Sequence, residues 1–177
     1  TVLARAAAKI KRHVLPLFVV MFIVNYIDRV NIGFVRSHLE TDLGIGAAAY
    51  GLGAGLFFIG YAIFEVPSNL LLQRYGARAW LTRIMFTWGA AAMAMAFVRG
   101  ETSFYVLRFI LGAAEAGFFP GIIYYFTQWL PSTERGKAMA IFLSGSAIAS
   151  VISGPVSGAL LNVSGMSLHG CVVAQYL

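Results

Sequence analysis

RFILGAAEAGFFPG, Arg108 to Gly121, sets a cation and a carboxylate inside an apolar segment that runs from about Ser103 to Trp129. At about 3.6 residues per turn, Arg108, Gly112 and Glu115 fall at i, i+4 and i+7, so one helix face carries a cation, a notch and a carboxylate in line. Ionisable residues persist in a membrane helix only where they face other polar groups or water. That face therefore needs partners, and the best candidates are Asp28 and Arg29 in the first apolar segment.

Composition supports a membrane setting. Hydrophobic residues make up 59% of the 177 and charged ones 11%, with a mean hydropathy of +0.78; soluble domains are far more polar. The net charge of +6 does not indicate nucleic acid, because the basic residues sit in short connections between apolar runs and form no stripe. A lipid bilayer explains their placement better. A single cysteine, Cys171, with scattered His13, His38 and His169, gives no disulfide framework and no metal cluster, and no cofactor is expected. Arg5, Lys9, Lys11 and Arg12 ahead of the apolar Val14 to Ile27 resemble the opening of a signal peptide. No small-residue cleavage site follows, and the run ends in Asn25, Tyr26, Asp28 and Arg29, so it reads as a retained first span. The start at Thr1 suggests an incomplete beginning.

The expected fold class is an all-α membrane protein. A segment 1–13 precedes a transmembrane bundle 14–161, with spans near 14–36, 48–72, 79–98, 103–129 and 138–161, and a truncated tail 162–177 follows. Each span is close to the ~20 residues that cross a bilayer. Arg5, Lys9, Lys11 and Arg12, then Arg74, Arg78 and Arg83, then Arg135 and Lys137 fall on one side, against Arg36 and Arg99 on the other. The positive-inside rule then makes the N-terminus cytoplasmic. Gly51 and Gly55, Gly117 and Gly121, and Gly154 and Gly158 are expected to let helix backbones approach closely. Pro67, Pro120 and Pro155 should kink or end helices.

At ~1.5 Å per residue, Asp28 lies roughly 12 Å below the outer surface, Arg108 roughly 8 Å and Glu115 roughly 18 Å. Asp28 and Arg29 thus match the fourth span's charges in depth, and two cations with two carboxylates can form one network of net charge near zero. Low dielectric favours a neutral carboxyl group and a neighbouring arginine favours an ionised one. An anion that competes for the arginine therefore promotes proton uptake, which couples the two ligands. A static ion-pair network that fixes helix register is the structural alternative. Tyr26, Tyr61 and Ser146 offer hydroxyls to a substrate, while Glu65, one turn from Tyr61, reads as structural.

NYIDRVNIG in the first span, FEVPSNLLLQRYGAR after the second, RFILGAAEAGFFPG in the fourth and WLPSTERGKAMA beyond it together resemble the anion:cation symporter family of the major facilitator superfamily. That group includes tartrate, phthalate and sugar-acid transporters. The resemblance runs from about Ile10 to Leu161 and implies proton-coupled uptake of a small organic anion across the cell inner (plasma) membrane, by alternating access between two six-helix halves. It implies further that Asp28 and Glu115 are proton-linked carboxylates, Arg29 the anion-facing arginine, Tyr26, Tyr61 and Ser146 substrate-lining positions, and Arg108 a supporting cation. In the superfamily's loop signature G-x-x-x-D-R-x-G-R-R/K, Asn69, Gln73 and Ala77 replace the first glycine, the acid and one arginine, while Arg74, Gly76 and Arg78 stay in register.

Relatives have twelve helices, so the expectation is the N-terminal part of a larger transporter that lacks its sixth helix and C-terminal half. A transport-inactive truncated fragment is the alternative reading. An intramembrane enzyme with Asp28 and Glu115 as acid and base is disfavoured, since no HExxH and no G-x-S-x-G is found.

Overall fold

The computed structural model describes residues 2–163; the tail expected over 162–177 falls outside them except for its first two residues. Six helices follow in order: α1 Val2–Leu43, α2 Ala47–Tyr75, α3 Ala77–Ala94, α4 Glu101–Glu115, α5 Phe118–Trp129 and α6 Ser132–Val163, with a short 3-10 turn at Met95–Phe97. Among the described residues, four stretches are long and apolar enough to cross a membrane: Arg12–Gly33, Ala47–Tyr75, Glu101–Trp129 and Ser132–Ala159. Helix α3, expected as the third span over 79–98, begins at Ala77 and passes into the 3-10 turn at Met95; Arg78 and Arg83 lower its hydropathy.

The fourth span is two helices. Gly117 adopts φ +88, a left-handed conformation that interrupts the helix at low steric cost for glycine. Pro120 explains the break, because it has no N–H for the carbonyl of Ala116 four residues back and its ring crowds that carbonyl. The freed oxygen is not left bare: the Ser68 hydroxyl donates to it at 2.8 Å, and the Trp80 indole N–H donates to Ser68 Oγ at 2.9 Å. Neighbouring helices thus restore the bond that proline removes. Pro67 and Pro155 lie within α2 and α6, neither of which is interrupted.

Contact positions fix the helix directions. Gly53 meets Phe104, Phe57 meets Gly112, Gly117 meets Ser68 and Gly121 meets Leu72, so numbers rise together and α2 runs parallel to α4–α5. Gly145 against Phe22 and Ser157 against Asn31 make α1 and α6 parallel as well. Helix α3 returns the chain from α2 to α4 and packs against both. The α2–α4 contact is close because a Cβ on Gly112 would overlap the Phe57 carbonyl. Gly51, Gly55, Gly154 and Gly158 have open space around them, so two of the three expected glycine pairs make no tight contact here, whereas Gly53, Gly60, Gly112 and Gly145 do. The i, i+4 spacing alone does not say which helix face is turned inward. In lipid, burial adds no hydrophobic drive, so interlocking of Phe104, Phe126, Phe142, Leu111 and Ile122, all fully buried, holds the bundle through dispersion contacts.

Candidate functional site: a buried charge cluster between α1, α2 and α4

Glu115 is the last residue of α4 and is 1% exposed. The break that follows it ends the helix at bundle depth and leaves its carboxylate facing α1. Its Oε1 accepts the Asn25 amide at 2.7 Å and Arg29 Nε at 2.7 Å, and Arg29 Nη2 lies at 2.5 Å. Asn25 and Arg29 are one turn apart on α1, which is why both reach the same oxygen. The Arg29 guanidinium is 5.2 Å from the Tyr61 ring centroid and 5.5 Å from that of Phe57. Arg108 lies 4.8 Å from the Phe57 centroid, so one aromatic ring serves two cations as a cation–π partner and keeps them apart.

Asp28 turns towards α3, where the Trp88 indole N–H donates to its Oδ2 at 3.3 Å. The expected four-charge network is therefore divided: Arg29 pairs with Glu115, Asp28 takes a tryptophan donor, and Arg108 rests on Phe57. The groups still share one field, since Glu115, Arg108 and Arg29 all act on Asp28. Two polar atoms in the cluster have no hydrogen-bond partner, Glu115 Oε2 and Arg108 Nε, both fully buried. With all four side chains ionised, the cluster is neutral.

Of the substrate-lining positions expected from sequence, Arg29 and Tyr61 join the cluster. The Tyr26 ring lies tilted against that of Phe22, with centroids 6.2 Å apart, and the Ser146 hydroxyl donates to the Leu143 carbonyl of its own helix at 2.7 Å; no described hydrogen bond links either to the cluster. Glu65 is half-buried, and its charge acts on the Tyr61 phenol one turn away. Asn25, Phe57 and Trp88 complete the site and escape a sequence reading centred on charge. Asn25 carries a signal, an amide in an apolar run one turn before Arg29. Phe57 and Trp88 carry none, being apolar residues among many.

A parallel-paired helical bundle with intramembrane carboxylates and arginines is a known architecture. The Major Facilitator Superfamily model matches residues 18–173. This chain belongs to the major facilitator superfamily. Among related proteins, the quinolone resistance transporter of Acinetobacter baumannii is 57% identical over 157 residues, covering 88% of this chain and 36% of that protein. A tartrate transporter, provisionally so named, from Agrobacterium vitis is 47% identical over 92% of this chain and 36% of its own length. The inner membrane transport protein RhmT of Escherichia coli K12 is 41% identical, covering 96% of this chain and 40% of that protein. The fold matches a solved bacterial homolog of the human lysosomal transporter Spinster, in an inward-facing, occupied conformation, with a TM-score of 0.79 at 19% identity, over 94% of this chain and 41% of that one. The chain thus spans well under half the length of these relatives, matching their N-terminal part. Its relatives and its fold are those of membrane transporters and not of enzymes.

Proposed function

We propose that this chain supplies the N-terminal half-site of a carrier that moves a small organic anion together with protons by alternating access. The observation that carries the reading is the Arg29–Glu115 pair: a half-exposed guanidinium held by a carboxylate that is fully buried. A carboxylate substrate arriving at Arg29 competes with Glu115 for the same donors, and Glu115 then becomes easier to protonate. Loss of the proton returns Glu115 to Arg29 and expels the anion. Coupling follows from competition for one cation and requires no other moving part.

In this reading Arg29 and Tyr61 receive the anion, with Tyr26 and Ser146 further along the path, Asp28 and Glu115 carry protons, and Arg108 balances their charge. The remaining half of the site comes from a C-terminal helical half. The N-terminus faces the cytoplasm and the membrane is the inner, or plasma, membrane. Names of relatives give the first substrates to try: tartrate, and, because quinolones also carry a carboxylate, a quinolone. Export of such a drug is the second reading, favoured by the 57% identity to a quinolone resistance transporter.

The test is uptake into proteoliposomes bearing the complete transporter, with an imposed pH difference and a panel of carboxylates, tartrate and a quinolone. Uphill accumulation that collapses with the pH difference, and is absent for uncharged analogues, supports the proposal. Accumulation indifferent to the proton gradient rejects the coupling.

A further inference from the structure

The surroundings of Glu115 are lopsided. Three donors, Asn25 Nδ2, Arg29 Nε and Arg29 Nη2, converge on Oε1, whereas Oε2 is buried with no partner. A carboxyl group takes its proton on the oxygen with free lone pairs, because protonating the other would break bonds already made. The groups acting on Glu115 are Asp28 and Arg29 from α1, Tyr61 from α2 and Arg108 from its own helix, while α3 contributes Trp88, which is held by Asp28. When an anion draws Arg29 away, two of the three donors to Oε1 leave with it. Asn25 stays, since it is 4% exposed and neutral and has no reason to follow the substrate.

We infer that Asn25 is a positioning residue for proton coupling: it holds Glu115 by Oε1 throughout the cycle, so that Oε2 is the atom that gains and loses the transported proton. In the proton step a hydronium ion from water in the cavity gives its proton to Oε2: one O–H bond of the hydronium breaks and leaves water, an O–H bond forms at Oε2, the carboxylate becomes a neutral carboxyl group, and the Asn25 amide still donates to Oε1. The assignment rests on the proton-coupled reading above. It adds a residue that carries no charge, cannot titrate and need not touch the substrate.

The experiment measures the pH dependence of proton-driven uptake in the complete transporter for wild type, Asn25→Leu and Asn25→Ser, together with the amount of each in the membrane. Leucine has similar size and no donor, so the ionised form of Glu115 loses a charge-assisted hydrogen bond. The midpoint of the pH profile is expected to move upward by about one unit, since that bond is comparable with the ~1.4 kcal/mol of one pH unit. Serine keeps a donor and should hold the midpoint near wild type even if less protein is made. Exchange of labelled substrate at saturating concentration should persist in both. An unmoved midpoint in Asn25→Leu overturns the inference, as does an equal shift in both variants. If Asn25→Leu does not reach the membrane, Asn25→Ala, which also lacks a donor, is read by the same criterion. A wild-type profile flat in pH refutes the proton-coupled reading itself, which distinguishes that failure from failure of the Asn25 assignment.

Discussion

Glu115→Gln is the sharpest perturbation of the charge cluster. Glutamine keeps the length of the side chain and a carbonyl oxygen for Asn25 and Arg29, but it cannot titrate. Glu115 is 1% exposed and Arg29 35%, so the pair is screened from one side and its loss does not carry the 3–5 kcal/mol of breaking a fully buried pair. Charge-assisted hydrogen bonds are roughly twice as strong as neutral ones; after discounting for the exposure of Arg29, a loss of about 1–2 kcal/mol is reasonable. That loss weakens the grip on Arg29, so the anion meets less competition for it. At about 1.4 kcal/mol per tenfold, the variant should bind the anion about 5- to 30-fold more tightly in exchange assays, with little dependence on pH. Accumulation should vanish at the same time. A carrier moving one net proton per anion converts a pH step of two units into roughly hundredfold accumulation, whereas Glu115→Gln should reach only the equilibrium ratio. Uphill uptake preserved in the variant, or exchange affinity that falls and still follows pH, would refute the competition mechanism.

Other substitutions test other parts of the arrangement. Arg29→Ala should weaken anion binding at least tenfold by isothermal titration or exchange, and Arg29→Lys should restore it only in part, because an ammonium cannot present two N–H groups in a plane or stack on Phe57 and Tyr61 in the same way. Gly112→Val forces a side chain into the Phe57 carbonyl and should lower the unfolding temperature in detergent, at an overpacking cost of about 1–3 kcal/mol; unchanged melting would mean that α2 and α4 are not in close contact. Ser68→Ala leaves the Ala116 carbonyl and the Trp80 N–H without their partner, an expected loss of about 1–3 kcal/mol, seen as faster hydrogen exchange around the α4–α5 break than in wild type.

Sequence alone determined that this chain enters lipid and roughly where it does so, because apolar runs of about twenty residues, flanked by arginine and lysine, have few alternatives. It also singled out Asp28, Arg29, Arg108 and Glu115, since charge inside such runs is too costly to be incidental, and it named Pro67, Pro120 and Pro155 alike as places to kink or end a helix, of which only Pro120 stands at a break, beside Gly117. Sequence left open which face of each helix turns inward. Gly51 and Gly55 share a spacing with Gly117 and Gly121, yet only the second pair meets neighbours. Partner choice was likewise undetermined: Asp28 and Arg29 are adjacent in the chain, but on a helix successive side chains diverge by about 100°, so one turns to Trp88 and the other to Glu115. Which oxygen of Glu115 is bound, and that Asn25 binds it, emerges only when α1 lies against α4, because a hydrogen bond is set by ångström distances between helices far apart in the chain.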